Sequence, residues 1–171
     1  MTKNTLIIGY GNRDREDDGA GWHMLSRLAA KLNLAAPQLP GDSVIAPESN
    51  ESGDSHLELL YLFQLLPELA EDLARYQVLI LLDAHNSDQL DEIVVEPVLP
   101  GNTHFAFTHH LSPEGLLYIA ETIGKPLPAT WLVSVRGYSF RFAVELTPQT
   151  AALVDRAVER VLCLLQTGQP S

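Results

Sequence analysis

Cysteine is nearly absent from this sequence: Cys163 stands alone, so no internal disulfide can form. Its position within an apolar helical pattern reads as a packed thiol. Basic residues are scarce as well, with 11 Lys and Arg against 22 Asp and Glu, a formal charge of -11. Such a field repels phosphate backbones and anionic headgroups alike, which argues against nucleic acid and membrane surfaces as partners. No apolar run approaches membrane-spanning length, and Met1-Thr2-Lys3-Asn4 leads directly into a strand-like segment. We therefore read no secretory signal and expect a cytoplasmic protein that acts as a monomer. Also lacking are a G-x-S-x-G elbow, which weakens a serine-hydrolase reading, and an H-E-x-x-H helix, the self-contained metalloprotease signature. Gly9-Tyr10-Gly11 begins like a dinucleotide fingerprint, but Asp14 occupies the third glycine position and would confront a pyrophosphate.

What is present is ample apolar material. Hydrophobic residues make up 46% of 171, enough for one domain with its own core, and neither a repeat nor a second domain is visible. The run 5–8, ended by Gly9, is too short for a helix and reads as a strand covered on both faces, hence mid-sheet. Trp22, Leu25, Leu28, Ala29 and Leu32 recur at helical spacing and predict a helix over about 18–33. Residues 41–55, rich in Gly, Pro, Ser, Asn and acids without period, read as a long flexible loop. Strands are expected at 57–63 and 78–82, the second ending at Asp83, with a short helix from Pro67 to about Arg75 between them. The looser alternation over 92–98, with Pro97 inside it, suits an edge strand. Ser112-Pro113-Glu114 supplies a cap hydroxyl, a proline and a first-turn acid for a helix over 113–123. A strand over 131–135 and a last helix opened by Thr147-Pro148 complete the chain. Strand and helix alternate throughout, which predicts a single three-layer α/β domain spanning 1–171, with a mainly parallel twisted sheet of about five strands and helices on both faces.

In such a sheet, working side chains collect where strands end at their carboxyl edge. Three segments meet that condition. The first is Gly9-Tyr10-Gly11-Asn12 followed by Glu16-Asp17-Asp18-Gly19-Ala20-Gly21, whose acids would in the simplest case only cap the next helix. The second is Asp83, a lone acid after five apolar residues, followed by Ala84-His85-Asn86. The third is Thr108-His109-His110-Leu111-Ser112 ahead of a helix. Neighbouring histidines usually point apart, so one of the two at most joins a shared site. Each segment alone has an ordinary structural explanation, but all three are expected at the same sheet edge. Two carboxylates and one imidazole suit a borderline divalent ion with positions left open.

With these residues in place, the sequence resembles the [NiFe] hydrogenase maturation endopeptidases. Members open with a strand and a G-x-G-N turn, then reach D-[DE]-G-x-G, matched by Gly9-Tyr10-Gly11-Asn12 and Asp17-Asp18-Gly19-Ala20-Gly21. Leu81-Leu82-Asp83-Ala84, Thr108-His109-His110-Leu111-Ser112 and Glu145-Leu146-Thr147-Pro148 match later family elements. The stretch from Phe63-Gln64-Leu65-Leu66-Pro67 to Glu71 is similar to the bidirectional, NAD-linked subgroup. The resemblance implies Asp18, Asp83 and His109 as catalytic and metal-binding residues, with Glu16, Asp17 and His110 as alternatives. It implies nickel as the metal, carried by the substrate, other divalent ions being able to take its place. The partner it implies is the large-subunit precursor of a [NiFe] hydrogenase, trimmed of a C-terminal extension. A non-catalytic factor that binds the nickel-loaded subunit and releases it uncut would use the same residues. The chain departs from the family in Arg13-Asp14-Arg15-Glu16, where many members carry apolar residues.

Overall fold

The structure, a computed structural model, describes residues 4–46, 56–101 and 111–169. Its centre is β1 (Thr5–Tyr10), in which all six residues are buried. Period-two alternation sends Ile7 to one face of the sheet and Leu6, Ile8 and Tyr10 to the other, and both faces are covered. β3 (Leu57–Leu62) and β4 (Val78–His85) pair with β1 in parallel on either side, and β6 (Ala129–Arg136) pairs in parallel with β4. Two antiparallel strands close the edges: β2 (Ser43–Ile45) beside β3, and β5 (Ile93–Val98) beside β6. The sheet therefore has six strands, in the order β2-β3-β1-β4-β6-β5, where about five were expected.

The additional strand lies inside the expected loop over 41–55. Ser43–Ile45 spans three residues, two of them exposed, and has no periodicity to betray it. It exists because the free edge of β3 offers it a ladder, Val44 opposite Leu59. Residues 47–55 of that loop lie outside the described residues. The edge position expected for 92–98 holds, with Pro97 in β5.

α1 (Ala20–Lys31) and α4 (Pro148–Thr167) cover one face, burying Met24, Leu25, Leu28, Val154, Val158 and Val161 against it. α2 (Leu69–Asp72), continued by a 3-10 turn at Leu73–Arg75, and α3 (Pro113–Thr122) cover the other. The capping signals at the last two long helices act as read. The Ser112 hydroxyl accepts from Gly115 N at 3.1 Å, Thr147 accepts from Thr150 N at 3.4 Å, and a proline follows each cap. α1 differs. It emerges from a 3-10 turn at Glu16–Gly19, its cap is Gly19, and neither Asp17 nor Asp18 caps it. Cys163 is half-buried on α4.

Glycine sets how closely α1 meets the sheet. A Cβ on Gly21 would stand 2.4 Å from the Tyr10 carbonyl oxygen and 2.5 Å from that of Leu82, both backbone atoms of central strands. A Gly21→Ala variant is expected to lose about 3 kcal/mol in urea unfolding, because the strands cannot yield and the helix must lift. A loss under about 1 kcal/mol would show that the helix adjusts freely.

Candidate functional site at the carboxyl edge of the sheet

Among the parallel strands, the order across the sheet is β3, β1, β4, β6, so the connections depart in opposite directions on either side of the β1–β4 pair. In doubly wound sheets this switch point opens a crevice outside the carboxyl ends of the strands. A cavity of about 790 Å³ lies there, walled by the ends of β1, β3 and β4 and by the start of α3.

Asp18 and Asp83 both line it. Asp18 is delivered by the 3-10 turn, and its Oδ2 accepts from Asn12 N at 2.9 Å. Gly11 permits this approach: it has φ of +123°, and a Cβ there would fall 2.1 Å from the Asp18 carbonyl oxygen. Asp83 sits within β4, which continues to His85 instead of ending at the aspartate. Its Oδ1 accepts from Ala84 N at 2.7 Å, and the Tyr10 phenol lies beside its carboxylate. Burial pushes the Asp83 pKa up to about 6, the neighbouring Tyr10 hydroxyl and Ala84 N–H oppose the rise, and the negative charge of Asp18 adds to it. Burial also raises the Tyr10 phenol, helped by Asp83, so Tyr10 remains a protonated donor.

His85, two residues along β4, projects to the same face as Asp83 and lines the same cavity. Burial pulls its pKa below the ordinary imidazole value. The backbone at Asp91 and Ser87 resists that fall in part without completing a hydrogen bond of normal geometry. At neutral pH the ring is uncharged. Tyr10 and His85 were visible in the motifs, but nothing in the sequence showed that the alternation of β1 and β4 would bring both to the face that carries Asp83.

The acids beside Asp18 are engaged elsewhere. Asp17 is fully buried and accepts from Tyr138 N at 2.7 Å, Ser139 N at 3.0 Å, and Thr147 N and Oγ1 at 2.8 Å each. Burial would raise its pKa, yet these bonds outweigh it and hold the carboxyl below the usual range. Glu16 accepts from the Ser139 hydroxyl, from Arg141 N at 3.1 Å and from the Arg141 guanidinium at 3.4 Å. The Ser139 bond leads in lowering its pKa. Together the two acids clamp the loop between β6 and α4 onto the start of α1. His109 and His110 lie outside the described residues; the following Leu111, Ser112 and Pro113 line the cavity. Among the described residues, no three potential metal-ligating side chains cluster closely enough to hold an ion, and no helix is long and apolar enough to cross a membrane.

These features define a doubly wound α/β protein with an acidic cavity at its topological switch point. No protein-family model matches the chain, and no curated protein sequence does. Among solved structures it is similar to the hydrogenase maturating endopeptidase HybD from E. coli, with TM-score 0.65, 22% identity, and 96% of this chain and 93% of that one covered. An endopeptidase from Escherichia coli gives TM-score 0.68 at 21% identity over 98% and 95%. The [NiFe] hydrogenase maturation protease HycI from Thermococcus kodakarensis KOD1 gives 0.63 at 19% over 96% and 94%. The fold of this chain is the one found in the [NiFe] hydrogenase maturation endopeptidases.

Proposed function

We propose that the chain is an endopeptidase that removes the C-terminal extension from the nickel-loaded large-subunit precursor of a [NiFe] hydrogenase. The reading is carried by the convergence of Asp18 and Asp83 on one cavity at the switch point of a fold shared with maturation endopeptidases. The segment bearing His109 leads into the wall of that cavity at Leu111. Asp18 and Asp83 would offer hard oxygens, and His109 an imidazole, to the open side of a nickel ion held by the substrate. Such a metal polarises a nearby carbonyl or lowers the pKa of an attacking water. The Ala84 N–H holds the Asp83 carboxylate, and that of Asn12 holds the carboxylate of Asp18.

Incubating the protein with a nickel-loaded precursor and measuring the precursor's intact mass tests the reading. Loss of the C-terminal extension is expected, and Asp18→Asn or His109→Ala should slow it by about 100-fold or more. A precursor that is bound but keeps its mass would mean an assembly factor instead of a protease.

A further inference from the structure

The charged segment 13–16 sets this sequence apart, and one of its residues faces the cavity. Arg15 is exposed and is the one Lys or Arg among the described residues lining it. Its guanidinium stands 5.4 Å from the centroid of the Phe142 ring and donates through Nη2 to the Phe140 carbonyl oxygen at 3.2 Å. The backbone of Arg15 bridges Ala143 in parallel fashion. The base of the side chain is thus held by the same loop that Glu16 and Asp17 clamp. Among the described residues, no carboxylate pairs with this guanidinium, although the chain has 22 acids for 11 bases. An arginine positioned by an aromatic face, with donors to spare and no anion, is pre-organised for a carboxylate from outside.

We propose that Arg15 is a specificity-determining residue that binds a carboxylate on the C-terminal extension of the substrate and so sets which peptide bond reaches Asp18 and Asp83. The inference rests on the proposed endopeptidase function. The electrostatics give the direction. Asp18 and Asp83 repel a carboxylate, while Arg15 in the same lining attracts it. An anionic tail is therefore held at one place and kept from another, which defines a register along the cavity. The exposed ring of Phe142 lies against the guanidinium and suits an apolar neighbour of that carboxylate. The carboxylate belongs either to an Asp or Glu side chain of the extension or to its free C-terminus.

The test is steady-state processing of nickel-loaded precursor by wild type and Arg15→Gln. Three tails are compared: the native one, one with its acids changed to amides, and one lengthened by a Gly-Ser segment that moves the terminal carboxylate away. On the native tail Arg15→Gln should raise KM about 10-fold with kcat little changed, because the contact is made equally in ground and transition states. The wild-type KM should also rise with salt, and that of the variant should not. On the tail lacking the relevant carboxylate, wild type should already show the loss and the variant should add nothing. A loss with the amide tail identifies a side chain, and a loss with the lengthened tail identifies the terminus. An unchanged KM in Arg15→Gln, or losses that simply add on both altered tails, overturns the proposal. Where the amide tail identifies a side chain, Arg15→Glu paired with a tail whose acids are lysines should recover binding, and failure to do so counts against the proposal. If wild type leaves the precursor uncut, the endopeptidase reading falls, and the same comparisons are made on equilibrium affinity for the precursor.

Discussion

An Asp83→Asn variant is expected to lose processing and at the same time to become more stable at neutral pH. The two effects have one origin. Asp83 sits near the carboxyl end of a buried strand beside a second carboxylate, and its pKa rises from 3.8 to about 6. A raised acid pKa means that the folded state prefers the protonated form. The group is without penalty below about pH 4, destabilises progressively as pH climbs toward 6, and carries the full cost above that. Two units at about 1.4 kcal/mol each set an upper bound near 3 kcal/mol, and partial solvent access reduces it to about 2 kcal/mol. Asparagine is neutral at every pH, so urea unfolding should show Asp83→Asn more stable than wild type by about 2 kcal/mol at pH 7.5 and equal to it near pH 4. Processing should fall by about 100-fold or more, since an amide is a poor ligand for a divalent ion. In the wild type, kcat/KM should decline as pH drops through about 6, the limb that reports the free enzyme. A variant less stable than wild type at pH 7.5 would show that the carboxylate is structural.

Asp17→Ala should do the opposite. Four hydrogen bonds converge on this fully buried carboxylate, three of them from backbone amides of the loop between β6 and α4. Truncation removes the acceptor and strands three N–H groups away from water, a loss of about 3–5 kcal/mol. Asp17→Asn keeps the shape but cannot accept from every donor, and should lie between the two. The pH dependence is reversed as well. A lowered pKa makes the folded state favour the ionised form, so this contribution is present above about pH 4 and is lost as pH falls through the folded value. Unfolding of wild type and Asp17→Ala, followed from pH 7 to pH 2, should show the gap between them closing in acid. A gap under about 1 kcal/mol at pH 7 would mean that the loop finds other partners.

Adjacent in sequence and identical in type, Asp17 and Asp18 have separate fates. The glycines that flank them and the apolar strand before them were legible, because close backbone approach and burial on both faces leave few alternatives in residue type. Which acid points where was not, since a single 3-10 turn at Glu16–Gly19 sends one side chain to the loop after β6 and the next to the cavity. The expected capping role belonged to neither. That His85 would share the face of Asp83 was hidden for a related reason. The residues after Asp83 show no strand pattern, and β4 continues through them because β6 runs alongside as far as Arg136. Ser43–Ile45 is a strand only because β3 has a free edge.

By itself, the sequence determined what depends on local chemistry and periodicity. That covers the buried parallel strands, the two proline-started helices, the alternation that makes a doubly wound sheet, and the residue types carried to its carboxyl edge. Only the tertiary structure decided what depends on partners far along the chain: the two edge pairings, the division of labour among Glu16, Asp17 and Asp18, and the elevated pKa of Asp83. Local pattern encodes which face a side chain occupies; which group meets it there is set by elements 50 to 130 residues away, such as Tyr61 on Gly11 and Thr147 on Asp17.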